Sequence, residues 1–355
     1  IPEEMINNSV RKILRMKYEL GIMDDPYRYC DEEREKKVIL NEEYIELARE
    51  SAGKSMVLLK NDNNILPLSS GIKSIAIIGP LADSKKDMMG SWSKSGDPND
   101  VVTIMEAIKK QYGNNIRIDY VRGCNINDSN RIDFKKTIAV ARKADVIIAT
   151  MGEAASMSGE ASCRGRIELP GVQEELLKAL HKTGKPVVLV LFNGRPLAIP
   201  WADKNIPAIL EAWFPGIQAG NALCDVLFGK RNPQGKLTVT FPYSSAQVPI
   251  YYNHKNTGRP MRYSADVFVS RYLDQPVKPL YPFGYGLSYS SFEYSGIELN
   301  KTEISGNEAL KASITVKNTG KYEATETVQL YIRDMVASVT RPVMELKNFR
   351  QISLM

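Results

Sequence analysis

The sequence predicts an α/β fold in which a mostly parallel sheet is covered by helices on both faces, an α/β sandwich. Two observations support this prediction. Apolar, β-branched runs of strand length alternate with amphipathic helical patterns through the middle of the chain, which is typical of parallel βαβ units. Towards the C-terminus the apolar period becomes two residues, which indicates an antiparallel β-sandwich after the first domain.

The strands and helices of the α/β part can be placed individually. Five apolar runs predict strands at residues 75–78, 117–121, 146–150, 187–191 and 208–211. Helical patterns separate most of them, at residues 102–112, 132–143, 171–183 and 218–228. Because ligands bind at the carboxyl ends of the strands in such sheets, we expect function in the loops at residues 77–80, 148–160 and 191–196.

The N-terminal region predicts two helices joined by a linker. Residues 3–20 have an apolar stripe, Gly21 ends the pattern, and a second helix is expected at residues 42–54. The stripe consists of Met5, Val10, Ile13, Leu14 and Tyr18. Residues 22–41 are polar and charged and predict the linker. Both ends of the chain have the character of a segment of a longer polypeptide.

The C-terminal third differs in composition. Proline, glycine and tyrosine become frequent from about residue 235, and residues 281–295 predict a linking loop with a hairpin. Residues 310–320 and 326–334 alternate around an Asn-Thr-Gly turn, which predicts antiparallel strands of a sandwich.

Bulk composition excludes several classes of protein. The 355 residues suit two or three domains. The net charge of +6 comes from scattered Lys and Arg with no basic stripe, so we expect no nucleic-acid partner. No apolar run approaches the roughly 20 residues that span a bilayer, so we expect no membrane partner.

Cysteine and histidine spacing argues against a metal site. The four cysteines, Cys30, Cys124, Cys163 and Cys224, form no C-x-x-C pair, and the two histidines lie far apart. We therefore expect free thiols and no zinc site. His254 has two interpretations, a site residue or a structural histidine, and the second is the expected one.

Nucleotide and serine-hydrolase motifs are absent. Residues 77–80 contain one glycine where a dinucleotide loop needs three, and no Gly-Lys-Ser/Thr follows. Asp83 is expected to cap a helix rather than to bind ribose. The sequence G-x-S-x-G does not occur. NAD, ATP and a catalytic Ser/His/Asp set are therefore not expected.

Within residues 151–171, Glu153 and Glu160 lie in a run of Gly, Ala and Ser. Glu160 can be a general acid that reaches into a cleft, or a solvated loop glutamate held by Arg164 or Arg166. The residues alone favour the second interpretation. Glu153 lies closer to the strand end, where a structural hydrogen-bonding role is expected.

Trp92 lies in a polar loop rich in Gly, Ser and Asp. An exposed ring there can stack on the apolar face of a sugar or pack against another domain. Both interpretations stay open on the residues alone.

Several long segments resemble glycoside hydrolase family 3, and most closely its bacterial periplasmic β-glucosidases. They lie at residues 55–68, 75–83, 158–177, 184–199, 208–242, 250–260 and 280–295. The resemblance covers essentially the whole chain. Its most specific segments are residues 208–242, with "EAWFPG" inside, and residues 280–295, "LYPFGYGLSYSSFEYS".

The resemblance implies a three-part enzyme. An N-terminal (β/α)8 barrel supplies an aspartate nucleophile, an α/β sandwich supplies the acid/base glutamate, and a fibronectin type III-like domain follows. It implies that residues 1–41 are the last barrel helix and a linker, 42–245 the α/β sandwich, 246–296 linking loops with a hairpin, and 297–355 a partial fibronectin type III-like domain. The barrel itself is then missing from this sequence.

The resemblance also implies the site residues. Many family members carry E-G-x-D-R, which Glu160 to Arg164 match at the glutamate and the arginine, with Ala161 and Cys163 in place of Gly and Asp. Glu160 is then the catalytic acid/base, and Arg164 is expected to bind substrate.

Three further substrate-binding residues are expected at the entrance of the site. Trp92 matches a loop tryptophan that in some family members stacks on the sugar leaving the site. Met157 and Ser158 lie next to Glu160 in the chain. No metal or organic cofactor is implied.

The function implied is that of part of a retaining exo-β-glucosidase, periplasmic or secreted, and inactive as this isolated chain. Its partners would be a β-linked gluco-oligosaccharide or aryl glucoside and the barrel domain of the same protein. Two alternatives stay open: a β-xylosidase-type specificity, and a non-catalytic carbohydrate-binding or scaffold module.

Overall fold

The computed structural model describes residues 1–260 and 267–355. These residues form two compact units, Ile1–Leu47 and Ala48–Met355. The first unit contains helices α1 (Glu3–Glu19) and α2 (Glu32–Val38), and α3 (Glu42–Ser55) crosses the boundary. The two predicted helices are confirmed, and the apolar side chains of α1 are exposed.

The predicted linker contains a helix that the sequence did not indicate. Helix α2 has no buried residue and therefore no apolar stripe to recognise. Its order comes from polar contacts at its ends. The Asp31 carboxylate accepts a hydrogen bond from the Arg34 N–H at 2.9 Å, and acidic first-turn and basic last-turn residues complement the helix dipole.

A single six-stranded sheet is the centre of the second unit within the described residues. Its strands are β1 (Val57–Asn61), β2 (Ser74–Ile78), β3 (Arg117–Val121), β4 (Val146–Gly152), β5 (Val187–Phe192) and β6 (Ala208–Glu211). The order is β1-β6-β5-β4-β2-β3, with β1 antiparallel and the rest parallel. The five predicted strands are confirmed; the antiparallel edge strand β1 was not predicted.

Helices cover both faces of this sheet. They are α4 (Lys85–Met89), α5 (Ile104–Tyr112), α6 (Phe134–Ala141), α7 (Gln173–His181), α8 (Pro200–Asn205) and α9 (Ala219–Leu227). The four predicted helices correspond to α5, α6, α7 and α9, whereas the short α4 and α8 were not predicted. A capping box between Thr103 and Glu106 starts α5.

Alternate residues of each strand enter two separate cores, because successive side chains point to opposite faces. Ile148 and Val190 pack in one core with Leu223 of α9, whereas Ile147 and Leu189 pack in the other with residues of α6 and α7. A parallel sheet buried on both faces reads as continuous apolar runs. This is why the fully buried strands β2, β4, β5 and β6 were recognisable in the sequence.

Residues 281–295 pair differently from the predicted hairpin. Tyr281 forms an antiparallel bridge with Phe241, and Leu287 forms one with Leu58 of β1. The Tyr285 hydroxyl donates to the Leu59 carbonyl at 3.0 Å. The segment is therefore hydrogen-bonded to residues of the α/β domain, and only its last residues form a strand of the following sheet.

The C-terminal strands are antiparallel, as predicted. They are β7 (Phe292–Tyr294), β8 (Glu298–Leu299), β9 (Ala312–Ser313), β10 (Val316–Asn318), β11 (Ala324–Ile332) and β12 (Glu345–Leu354). β7 pairs with β10, β8 with β9, and β11 with β12. The Asn-Thr-Gly turn therefore connects strands of different pairs; the Asn318 carboxamide holds it by accepting from the Gly320 N–H at 3.0 Å.

Candidate active site

A cavity of about 750 Å³ lies where the loops after β2 and β4 meet. Both strands are parallel neighbours, so their carboxyl ends lie at the same edge of the sheet. Three of the predicted site residues line the cavity together: Trp92, Ser158 and Glu160. Met157 and Arg164 do not line it.

The Glu160 side chain is exposed at this cavity. Among residues 1–260 and 267–355, no hydrogen bond or ion pair engages its carboxylate. Residues with positive φ flank it, Gly159 at +105° and Ala161 at +58°. This backbone turns the loop sharply at Glu160 and leaves the carboxylate free to contact a ligand.

Gly159 allows the two loops to approach each other. A Cβ atom at this position would lie 3.1 Å from the Ser91 side chain and 3.8 Å from Cε2 of Trp92. The positive φ of Gly159 is in addition one that other residues rarely adopt. Close packing of the Trp92 loop against the Glu160 loop therefore depends on a glycine here.

Glu153 is the buried counterpart of Glu160. It is 0% exposed, and its Oε1 lies 2.6 Å from Nη1 of Arg164 and 3.1 Å from Nε of Arg195. Its N–H donates to the Phe192 carbonyl at 2.7 Å. The expected structural role of Glu153 is confirmed by these contacts, because a buried carboxylate is stable only when it is paired and hydrogen-bonded.

The two arginines also hold the loop backbone. Arg195 donates from Nη2 to the carbonyls of Met157 and Ser162, the latter at 2.7 Å. Arg164 donates from Nη2 to the Glu168 carbonyl at 3.0 Å. Arg164 is thus engaged with Glu153 and the loop, and the interpretation in which it neutralises Glu160 does not match its contacts.

Ser158 lines the cavity, but its hydroxyl is buried. The residue is 7% exposed, and its Oγ has no hydrogen-bond partner among the described residues. A Cβ atom at Gly194 would collide with this Oγ, so the hydroxyl lies against the segment that follows β5.

Trp92 is 64% exposed at the mouth of the same cavity. The Lys94 ammonium lies 5.4 Å from its ring centroid. A cation over one face of an indole contributes a modest attraction and helps to orient the ring.

Sequence reasoning missed three residues beside the loop: Asn193, Arg195 and Glu211. Arg195 and Asn193 follow β5, in a loop that the strand-end rule had indicated but from which no residue was selected. Glu211 ends β6, where it was assigned only as part of a strand. One feature of the sequence could have indicated them: each is a polar residue at or directly after the end of a buried strand, and these strands are neighbours in the sheet.

Glu211 is a buried, neutral acid. It is 0% exposed, and its carboxyl group accepts from Asn193 Nδ2 at 3.0 Å and from the Trp213 N–H at 2.8 Å. Burial raises the pKa of Glu211 to about 8, and the negative charge of Glu153 adds to the shift.

The remaining candidates lie elsewhere. His254 is exposed, with Nδ1 at 3.0 Å from the Lys255 carbonyl oxygen. All four cysteines are free, with Cys30 and Cys163 exposed and Cys124 and Cys224 buried. Burial raises the pKa of the Cys124 and Cys224 thiols to about 12, so both stay protonated.

No group of three or more His, Cys, Asp or Glu side chains within the described part of the chain is placed to hold a metal ion. None of its helices is both long enough and apolar enough to cross a membrane.

Comparison with known proteins agrees with this architecture. The glycosyl hydrolase family 3 C-terminal domain matches residues 56–289, and a fibronectin type III-like domain matches residues 326–355. A periplasmic beta-glucosidase of Salmonella typhimurium is 42% identical over 373 residues, covering 98% of this chain and 49% of that protein. A beta-xylosidase of Formosa agariphila is 41% identical over 354 residues, covering 98% and 48%.

Solved structures show the same likeness. The beta-glucosidase of Listeria innocua in complex with isofagomine superposes with a TM-score of 0.92 at 37% identity, over 100% of this chain and 49% of that one. The chain thus spans about half the length of the curated relatives it matches. Since the family 3 domain matches more than half of the sequence, the chain belongs to glycoside hydrolase family 3, whose C-terminal α/β domain it contains, followed by residues of a fibronectin type III-like domain.

Proposed function

We propose that this chain is part of a retaining exo-β-glucosidase and that Glu160 is its acid/base residue. The main support is one observation: an unengaged Glu160 carboxylate shares a cavity with the exposed Trp92 ring. The position of Glu160 in the family motif supports the same role. The names of the Salmonella and Listeria relatives support the glucosidase activity.

The reaction needs a second carboxylate, which we place on a (β/α)8 barrel of the same protein. In the first step this aspartate attacks the anomeric carbon, the glycosidic C–O bond breaks, and Glu160 gives its proton to the leaving oxygen. In the second step water attacks the anomeric carbon, gives a proton to Glu160, and releases the aspartate. Retaining enzymes hold the two carboxyl groups about 5–5.5 Å apart.

The predicted substrate-binding residues have different kinds of support. Trp92 has an exposed ring on which a sugar can stack, and Ser158 lines the same cavity. Met157 and Arg164 stay predictions. Their contacts support a role through the loop, since Arg195 holds the Met157 carbonyl and Arg164 holds Glu153.

Substrate and location are further parts of the proposal. The substrate would be a β-linked gluco-oligosaccharide or an aryl β-glucoside, with periplasmic or secreted location, as the Salmonella relative's name suggests. A specific observation favours one alternative specificity: the Formosa relative, at similar identity, is named a beta-xylosidase. Rates on matched 4-nitrophenyl β-glucoside and β-xyloside distinguish the two.

The experiment that tests Glu160 uses Glu160→Ala in the longer polypeptide that includes the barrel. Hydrolysis of cellobiose should fall by about 10²–10⁴-fold, because the leaving oxygen no longer receives a proton. Azide should partly restore the rate on an activated aryl glucoside and yield a β-glycosyl azide, because an anionic nucleophile needs no general base.

Glu175→Ala is the matched control, since Glu175 of α7 forms an exposed ion pair with Arg131 and does not line the cavity. It should leave both rates unchanged. Wild-type turnover of cellobiose by Glu160→Ala would remove Glu160 from the acid/base role.

A further inference from the structure

The Glu211 carboxyl group joins two donors that belong to different segments. One oxygen accepts from the side-chain amide of Asn193, which follows β5, at 3.0 Å. The other accepts from the backbone N–H of Trp213, which follows β6, at 2.8 Å. Both oxygens of a protonated carboxyl group have acceptor capacity, whereas a glutamine amide has one acceptor oxygen and a nitrogen that only donates.

The first of these contacts continues to the Glu160 loop. The Asn193 Nδ2 also donates to the Arg195 carbonyl at 2.9 Å. The Arg195 guanidinium in turn donates to the carbonyls of Met157 and Ser162, one on each side of Glu160. Hydrogen bonds therefore connect Glu211 to Asn193 and Asn193 to the Arg195 backbone. The Arg195 side chain then connects to the backbone on both sides of Glu160.

The second contact continues to the Trp92 loop. Trp213 has a φ of +58°, a conformation that costs a bulky residue about 1–2 kcal/mol and needs support from its surroundings. The hydrogen bond from its N–H to Glu211 supplies that support. The next residue, Phe214, packs so closely on Gly90 that a Cβ atom there would lie 2.9 Å from the Phe214 Cβ.

Phe214 also contacts the segment that follows β5. A Cβ atom at Gly194 would lie 2.9 Å from the Phe214 Cε2, and it would collide with the Ser158 hydroxyl as well. The Trp92 loop, the Glu160 loop and the two strand-end segments thus pack around the groups that Glu211 holds.

The charged groups near Glu211 explain why it can remain buried. Glu153, after β4, is the charged group that interacts with it, and Arg164 and Arg195 balance the Glu153 charge. Asn193 after β5 and the Trp213 N–H after β6 complete its surroundings as neutral donors.

We propose that Glu211 is a positioning residue for Glu160, acting through Asn193 and Arg195, and that its second hydrogen bond fixes the Trp92 loop opposite. This inference rests on the proposed acid/base function of Glu160. Glu211 does not contact the substrate in this proposal. It determines the position of the Glu160 carboxyl group relative to the Trp92 ring.

The test compares Glu211→Gln and Asn193→Ala in the longer polypeptide. A glutamine has one acceptor oxygen, so it cannot satisfy both Asn193 and Trp213; removal of the Asn193 amide breaks the connection to Arg195 alone. Rate constants are measured for aryl glucosides with poor and with activated leaving groups. Amide hydrogen exchange is measured for residues 153–168.

We expect both variants to lower the ratio of the poor to the activated leaving-group rate by at least about tenfold, because a misplaced general acid affects only poor leaving groups. Exchange in residues 153–168 should become faster. A merely structural defect would reduce the active fraction and lower both rates equally, leaving the ratio unchanged.

Asp225→Asn is the matched control. Asp225 is a buried carboxylate in α9, paired with Arg49 at 2.6 Å. Asp225→Asn therefore also replaces a buried carboxyl group by an amide, but at a residue that does not line the cavity. It should lower stability without changing the rate ratio or the exchange of residues 153–168.

The outcomes separate the two proposals. If Glu160→Ala lowers the ratio while Glu211→Gln and Asn193→Ala do not, and exchange in residues 153–168 is unchanged, the inference about Glu211 is overturned and the role of Glu160 stands. If Glu160→Ala leaves the ratio unchanged, the proposed function fails and the inference fails with it. Asn193→Ala provides the same test should Glu211→Gln not fold.

Discussion

At the scale of single residues, Ala161 bears the conformational cost of the turn beside Glu160. Its φ of +58° lies in the left-handed region, where a Cβ costs about 1–2 kcal/mol, and the family motif has glycine at this position. The cost is accepted where the loop is held on both sides by Arg195. Strain of this kind is common at functional sites.

Ala161→Gly should therefore raise the free energy of unfolding, by up to about 1 kcal/mol, once the greater entropy of glycine in the unfolded chain is subtracted. Urea unfolding of this chain measures it. The control is Ala139→Gly on the exposed face of α6, which should lower stability by about 1 kcal/mol. Equal losses for both variants would contradict strain at Ala161.

The pKa of Glu211 makes a second residue-scale prediction. Burial raises this pKa from 4.5 to about 8. Below the unfolded value the carboxyl group is protonated in both states, and its stabilising contribution is complete. Between the two values only the folded state keeps the proton, so the contribution declines as pH rises, by at most about 1.4 kcal/mol per pH unit. Above about 8 it is lost.

Glu211→Gln does not titrate, so the unfolding free energy of the wild type minus that of the variant should decrease between pH 5 and pH 8. Urea unfolding at several pH values gives this difference. Glu175→Gln is the control: the Arg131 contact lowers the pKa of Glu175, so its contribution is lost only as pH falls below that range, and its difference should be flat. A flat difference for Glu211→Gln would show that Glu211 is ionised in the folded chain at neutral pH.

At the scale of elements, the sequence identified those whose stability comes from local apolar pattern. Strands β4 and β5 are buried along their whole length, so each reads as an uninterrupted apolar run. Strand β1 continues directly from α3 and turns polar at Lys60 and Asn61, so its pairing with β6 had no local signal. Helix α2 was missed because charged caps replace an apolar face.

The residues of the candidate site also divide into those with a local sequence pattern and those without one. Glu160 and Trp92 could be proposed as candidates because each matches a recognisable local motif. Arg195 and Glu211 could not, because their roles arise from contacts with residues 42 and 18 positions away, Glu153 and Asn193. Such contacts form only once β4, β5 and β6 lie side by side, so no window along the sequence contains them.

At the scale of the whole molecule, the described residues offer Glu160 no second catalytic carboxylate at its cavity. Glu153, at the start of the same loop, is buried and paired with Arg164 and Arg195, so it cannot attack a sugar. Retaining hydrolysis requires a nucleophile and an acid/base together. The catalytic centre that we propose is therefore complete only when the barrel aspartate is added.

The isolated chain of 355 residues should accordingly fold and fail to hydrolyse 4-nitrophenyl β-glucoside above the uncatalysed rate, whereas the longer polypeptide with the barrel should turn it over. Circular dichroism of the isolated chain checks folding, and nitrophenol release checks turnover. Glu160→Ala in the isolated chain is the control for a contaminating glucosidase, whose activity it would not change. Turnover by the isolated chain that disappears with Glu160→Ala would contradict the proposed division, because both catalytic carboxylates would then lie within these residues.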